Sequence, residues 1–558
     1  MKDKFLLLAI LLVSVHSLFA VPAVPWTVEK VQPDSTKISV YLKGDEKVHW
    51  MESEDGYTLM YDSLRYVVYA QTDGKGNLTP SNIRFGSGEK PAANITKELR
   101  YSKAQVNTLM QIWKMTDDAI IQRGSTGNVK ILCILAAFSN RAFVKTQSEF
   151  NNLMNQVGYN IGGAKGSVKD YYLESSYGLL NLQVTVIGPV TLSNTTAYYA
   201  TNHGAFANQV VNLADPLVDY SQFATNGKVD FFHIIFAGYG DEAINDGQQI
   251  WSHYGGIYAT KDGVQLLCYS CSPELRNSSG SNITYIGVVA HEMGHGLGST
   301  DYYDISANYG GPDFIGAGRW CLMAGGSWND SGCQPAFVNP YQKIQFGWLT
   351  PQIIAGGSHV SNMPASANNP VVYKMVANAN GEHYLLENRQ YVGFDASLPG
   401  HGLLIWHIAA NVTGAPNDNH PLQVYPVCAS STYAIPSNNP ITYGSINSAG
   451  CPFPGTSGKV EFTDSSTPRA FTWTGLGGIS MPIENITENT NQTISFCPPI
   501  INFISQIVTT NTTVTNCVDI NVANVTVTSN AKLTLDAAGD VIFTGDLDLA
   551  SGTELEIK

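Results

Sequence analysis

Positive charge is scarce in this sequence. Lys and Arg number 31 against 45 Asp and Glu, for a formal net charge of −14 over 558 residues. No basic stripe is present to neutralise phosphates, so nucleic acid is not an expected partner. Beyond residue 20 there is no apolar run of membrane-spanning length, so no transmembrane segment is expected in the mature chain. No G-x-S-x-G occurs, which weighs against a serine hydrolase. No cysteine precedes Cys133, so the first hundred residues contain no thiolate that could block a metal.

What is present reads as several folded, β-rich domains. The chain is too long for one hydrophobic core, and its 44% hydrophobic content is an ordinary folded balance. "MKDKFLLLAILLVSVHSLFA" (1–20) has Lys2 and Lys4, an apolar run and small residues near Ala20, the layout of a secretory signal peptide. Alternation in "KISVYL", "YTLMY" and "YVVYA" predicts a small sheet, followed by a helical stretch over 97–122. Residues 21–122 are therefore expected to be a compact pro-segment, with a binding module as the alternative. The continuous apolar run "VKILCILAAF" (129–138) predicts a buried central strand. Strands and helices then alternate, giving an α/β or α+β catalytic domain over 123–360. Strands without helices suggest a β-sandwich-like domain over 361–498. Strict alternation with Gly and Asn turns suggests a β-solenoid-like or small all-β tail over 499–558.

The chemistry is concentrated in "VVAHEMGHGLGSTDYYD" (288–304). A helix is expected from about Thr284 to Leu297, placing His291 and His295 one turn apart on one face. Two imidazoles so placed can bind one zinc ion, with Glu292 as general base toward an activated water. The bland alternative makes both histidines satisfied core residues. A catalytic zinc needs a third protein ligand, yet no Glu lies between Glu292 and Glu382 and no His between His295 and His359. Asp301, Asp304, Asp313 and Asp330 are the local acidic candidates. H-E-x-x-H-x-x-G-x-x-D favours Asp301, because Gly298 can end the helix at positive φ and turn the chain back to the metal. This is the metzincin pattern with Asp in place of the third His. Met323 in "CLMAGG" follows 28 residues after His295, suited to a methionine turn beneath the metal. Tyr302 and Tyr303 lie nearby, and the sequence does not give their direction.

These motifs, with "GSVKDYYLESSYGLLNLQVTVIGP", "KVDFFHIIFAGYGDE", "IWSHY", "NPYQKIQFGWLTPQ" and "YLLENRQYVGFDASLPGHGLLIWHI", resemble the immune-inhibitor-A type secreted metallopeptidases, a branch near the metzincins. The likeness covers residues of roughly 125–410. It implies a multidomain α+β chain: a metzincin-like zinc peptidase domain with an N-terminal pro-segment and C-terminal all-β domains. It also implies an endopeptidase with broad protein substrates, with His291, His295 and Asp301 as zinc ligands and Glu292 as catalytic base. Relatives often carry a calcium-like loop where this chain has only Asp219, Asn226 and Asp230, a thin oxygen set for Ca2+. Ala409 and Ala410 follow the strand of His407 in place of an acidic residue, so packing is the expected role of His407.

The nine cysteines suit an exported protein, with Cys321–Cys333, Cys428–Cys451 and Cys497–Cys517 as plausible disulfides. Cys268 and Cys271 lack a second C-x-x-C at zinc-ribbon spacing, so disulfide use is expected of them too. The competing functional class is a non-catalytic adhesin built on a degenerate peptidase scaffold. Glu292 speaks against it, because a structural zinc site needs no base.

Overall fold

The computed structural model describes residues 21–558 except 94, 111–124, 306–312, 355–358, 410–416, 481, 498–500, 517–518 and 538. The expected signal peptide lies outside the described residues, as does the second half of the helix expected over 97–122. The described part of that helix is Lys103–Met110.

The N-terminal strands are β1 (Thr27–Val31), β2 (Lys37–Gly44), β3 (His49–Glu52), β4 (Thr58–Tyr61), β5 (Val67–Thr72) and β6 (Leu78–Arg84), joined in sequence order as one sheet. Tight turns link them, so every pairing is antiparallel. Alternation buries Ile38, Val40 and Leu42 on one face of β2. That face shares a core with Trp251, Tyr285, Val288 and Trp328 of the central domain. The sheet is thus packed directly over the motif segment.

The central sheet has the order β10 (His253–Lys261), β11 (Val264–Leu275), β9 (Lys228–Tyr239), β7 (Gly127–Ala137), β8 (Leu180–Thr191). All neighbours are parallel except the β10–β11 hairpin at the edge. Strand β7 is apolar and buried from Ile131 onward because both its faces are covered there. Ile131, Cys133 and Leu135 join one core layer, and Leu132, Ile134 and Ala136 the other. The helix Ile286–Gly296 lies in the first layer and is buried along its whole length.

Further on, β12 (Gln352–Ile354), β14 (Tyr373–Val376), β15 (His383–Arg389), β16 (Gly402–Ile408) and β17 (Val424–Pro426) form a five-stranded sheet. Its inner partner is a three-stranded sheet of β13 (Val360–Met363), β19 (Ile494–Cys497) and β18 (Glu484–Glu488). Tyr384, Leu386, Leu403 and Ile405 face that second sheet, whereas Leu385, Leu404 and Trp406 on the other face belong to the central core. The boundary expected near residue 360 is therefore crossed by one continuous core.

The tail coils. β20 (Ile501–Ile504), β23 (Ile520–Ala523) and β26 (Val541–Phe543) pair in parallel. β21 (Ile507–Val508), β24 (Val525–Val527) and β27 (Leu547–Leu549) do the same. So do β22 (Thr512–Asn516), β25 (Lys532–Ala537) and β28 (Glu554–Ile557). Val522, Val525, Val527, Leu533 and Leu535 fill the interior.

The cysteine expectations need correction. Cys133, Cys268, Cys271, Cys321, Cys333, Cys428 and Cys451 are buried free thiols. Cys321 sits beside Asn339 Nδ2 at 3.4 Å, while Cys333 sits beside Gly162 O at 3.4 Å, so the turn between them carries their side chains to different neighbours. Cys268 and Cys271 are three residues apart on β11, which points them to opposite faces and into different cores. Cys428 and Cys451 do lie together, as hydrogen-bonded thiols. The Cys497–Cys517 expectation falls on Cys517, outside the described residues.

Candidate metal centre

The motif helix presents His291 and His295 side by side, with ring centroids 4.9 Å apart. Each ring is fixed from behind. His291 Nδ1–H donates to Leu322 O at 2.9 Å, and His295 Nδ1–H donates to Ser299 O at 3.1 Å. A carbonyl can only accept, so both Nε2 atoms are left as lone-pair acceptors facing inward. They stand 3.2 Å apart. Burial holds His295 well below the ordinary imidazole range, which keeps it neutral.

Past the helix, Gly298 takes φ of +101° and Ser299 N–H closes back on Gly294 O at 3.0 Å. The left-handed turn suits glycine and reverses the chain. Asp301 Oδ1 thereby reaches 3.2 Å from His291 Nε2 and 3.6 Å from His295 Nε2. Ligand atoms of His291, His295 and Asp301 all lie within 4.8 Å of one another, the one such group among the described residues. Two imidazole nitrogens and a carboxylate converging in this way could hold a metal ion. Tetrahedral zinc with bonds of about 2.0–2.1 Å sets its ligand atoms roughly 3.3 Å apart, which these residues fit. Asp304 is turned to another task, accepting Phe314 N–H at 3.1 Å.

Met323 lies in the turn Cys321–Ala324, closed by Ala324 N–H to Cys321 O at 3.1 Å. A Cβ on Gly294 would come within 2.8 Å of Met323 Sδ, so the helix rests on this methionine only because residue 294 is glycine. The adjoining Leu322 carbonyl is the one that orients His291.

Residues 219–349 match the immune inhibitor A peptidase M6 catalytic domain. Over those residues the chain is similar to the immune inhibitor A peptidases. The matched segment of this peptidase domain runs from the turn before β9 through the motif helix, Asp301 and Met323. Over 236 residues the chain is 28% identical to immune inhibitor A of Bacillus thuringiensis subsp. alesti. That match covers 32% of this chain and 31% of the relative, so the chain spans about a third of the relative's length.

Glu292 is fully buried, and burial first, with neighbouring carboxylates adding to it and the Val21 N–H bond opposing it, sets its carboxyl well above the usual range. Its Oε1 accepts Val21 N–H at 2.8 Å, and its Oε2 has no hydrogen-bond partner among the described residues. Val21 O in turn accepts Trp251 Nε1–H at 2.9 Å, and Pro22 O accepts Trp328 Nε1–H at 3.0 Å. Ala23 N–H donates to Gly44 O and Val24 N–H to Glu242 O. The first described residues are therefore held through their own backbone groups against Glu292, Trp251, Trp328, Gly44 and Glu242.

Tyr302 points away, donating to Gln342 Oε1 at 2.9 Å. Tyr303 instead is electrostatically coupled to Asp301, Asp45, Glu46 and Glu292, and burial first holds its phenol well above the ordinary range. It therefore keeps its proton. Asp219 accepts Ser221 N–H at 2.9 Å and Asn226 adopts φ of 52°, both turn-forming roles. His407 is buried between Tyr425 OH at 2.8 Å and Glu382 Oε1 at 2.7 Å, on the five-stranded sheet. The sequence reading missed Val21, Trp251 and the Asp45–Lys47 turn; Val21 meets Glu292 across 271 positions of chain.

No helix among the described residues is long and apolar enough to cross a membrane.

Proposed function

We propose that this chain is a secreted, zinc-dependent endopeptidase of proteins, made as a latent precursor. The observation that carries the reading is the convergence of two lone-pair imidazole nitrogens and one carboxylate beside a buried glutamate. His291, His295 and Asp301 hold the ion. Zinc bound there supplies Lewis acidity to a water and to the scissile carbonyl. Glu292 takes the proton of the attacking water and delivers it to the leaving amine. Tyr303 donates a hydrogen bond toward the oxygen on which negative charge develops. Met323 supports the helix from below and moves no proton.

Residues 21–122 act as the pro-segment. Their N-terminal stretch lies where substrate would lie, with Val21 N–H on the catalytic carboxylate. Calcium is an optional second ion in this reading, carried only by the sequence around Asp219–Asp230. Protein substrates are the expected partners.

The experiment is zinc analysis and casein hydrolysis by protein freed of residues 21–122, with and without a chelator. One zinc per chain and chelator-sensitive hydrolysis are expected. Zinc without hydrolysis would make the chain a binding protein on a peptidase scaffold.

A further inference from the structure

Asp301 and Tyr302 lie in neither helix nor strand, so hydrogen bonds around the turn must hold them in place. Tyr302 carries most of that hold. Its N–H donates to Met323 O at 2.8 Å, and its carbonyl accepts Ala317 N–H at 2.7 Å. The hydroxyls of Tyr302 and Ser299 both donate to Gln342 Oε1 at 2.9 Å. Each of these partners lies within residues 219–349, the segment that matches the peptidase domain.

A further partner comes from outside it. Asn417 Nδ2 donates to Tyr302 O at 2.7 Å and takes the second lone pair of that carbonyl. Asn417 is 1% exposed. The same amide clasps Val424 of β17: Nδ2 donates to Val424 O at 2.7 Å, and Oδ1 accepts Val424 N–H at 3.0 Å. Val424 in turn pairs with Ile408 of β16, so the amide ties the five-stranded sheet to the ligand turn. The adjacent Asp418 Oδ1 accepts Ile305 N–H at 3.1 Å, which secures the other end of the stretch 302–305. Gly316 leaves room for the contact. A Cβ there would stand 2.2 Å from Tyr302 O and 2.8 Å from Asn417 Nδ2. Swinging the Tyr302 peptide would strip buried groups of their partners, so the clasp resists movement of Asp301.

We propose that Asn417 is a positioning residue for the metal centre: from the five-stranded sheet it fixes the Tyr302 peptide and thereby the approach of Asp301 to His291 and His295. The inference rests on the metal reading above and extends the functional unit past the matched segment. Residues that orient a ligand without touching the metal ordinarily account for roughly ten- to a hundredfold in metal affinity. The three ligands thus come from the peptidase domain, and part of their alignment comes from the β domain that follows.

The test is Co(II) titration of the uncleaved chain, whose visible spectrum reads the ligand set without any hydrolysis. Asn417→Ala should raise the Kd for Co(II) about tenfold or more and alter the visible bands. Asn388 is the matched control. It is fully buried in the same β domain, and its Nδ2 donates to Met363 O at 2.8 Å and Gln492 O at 2.9 Å, away from the ligand turn. Asn388→Ala should lower the unfolding temperature and leave Kd and bands unchanged. Asn417→Asp keeps the acceptor for Val424 N–H, and it reads the same way should Asn417→Ala lose its near-ultraviolet circular dichroism. Unchanged Kd and bands in a folded Asn417 variant, with Co(II) uptake still abolished by His291→Ala, would overturn the Asn417 assignment alone. Equal weakening by Asn388→Ala, or loss of the fold in both Asn417 variants, would overturn it too by making the effect one of stability. Failure of the unaltered chain to take up Co(II) would overturn the metal reading together with it.

Discussion

Val21 N–H donates to Glu292 Oε1 across 2.8 Å, joining residues 271 positions apart in the chain. The expected signal peptide ends one residue before Val21. Were the chain cut at that expected site, its new amino terminus would lie on the group proposed as catalytic base. The indole N–H groups of Trp251 and Trp328 donate to the carbonyls of Val21 and Pro22, so the contact does not depend on one side chain.

Removing residues 21–122 should therefore raise casein hydrolysis from near background, and limited trypsin treatment of the longer form should do the same. A mercurial thiol reagent should not activate it, because no cysteine precedes Cys133. Equal activity of the untreated long and short forms would make the N-terminal sheet a folding or binding module.

Glu292→Gln should lower hydrolysis by at least about a hundredfold, the usual scale for losing a general base. Zinc content should stay at one per chain, since Glu292 is not among the three converging ligands. Loss of zinc from a folded variant would instead place Glu292 in the support of the ligands.

Asp301→Ala should weaken zinc binding by more than about a hundredfold, beyond what outer-sphere changes produce. Asp304→Ala should weaken it far less, because Asp304 accepts a backbone N–H at Phe314. Metal titration of both variants gives the ranking, and the reverse order would move the ligand to Asp304.

Arg389→Met should destabilise the fold by about 3–5 kcal/mol, read by denaturant unfolding. Arg389 forks onto Asp395 at 2.6 and 2.8 Å, reaches Glu387 at 3.0 Å, and donates to Trp320 O at 3.0 Å. All three ionic groups are buried. The substitution leaves two carboxylates without a counter-charge and frees the segment leading to Met323. A loss under about 1 kcal/mol would mean that this network does not anchor the turn.

The sequence by itself determined the features that depend on short-range spacing. Helical periodicity puts His291 and His295 on one face, and Gly298 sets where the helix ends and Asp301 returns. The apolar run of β7 is typical of a strand buried on both faces, and the alternation in β2 assigned its inner face. Tertiary structure decided what depends on contacts far apart in the chain. Nothing local distinguishes Asp45-Glu46-Lys47 from an exposed turn; its burial follows from the N-terminal sheet packing on Trp251, Tyr285 and Trp328. Spacing suggested pairing Cys321 with Cys333, but the chain between them turns their thiols to different neighbours. The central core crosses residue 360 because one sheet has two apolar faces, which a linear pattern cannot assign to partners. Periodicity fixes which way a side chain points along its own element, and only packing fixes what it meets.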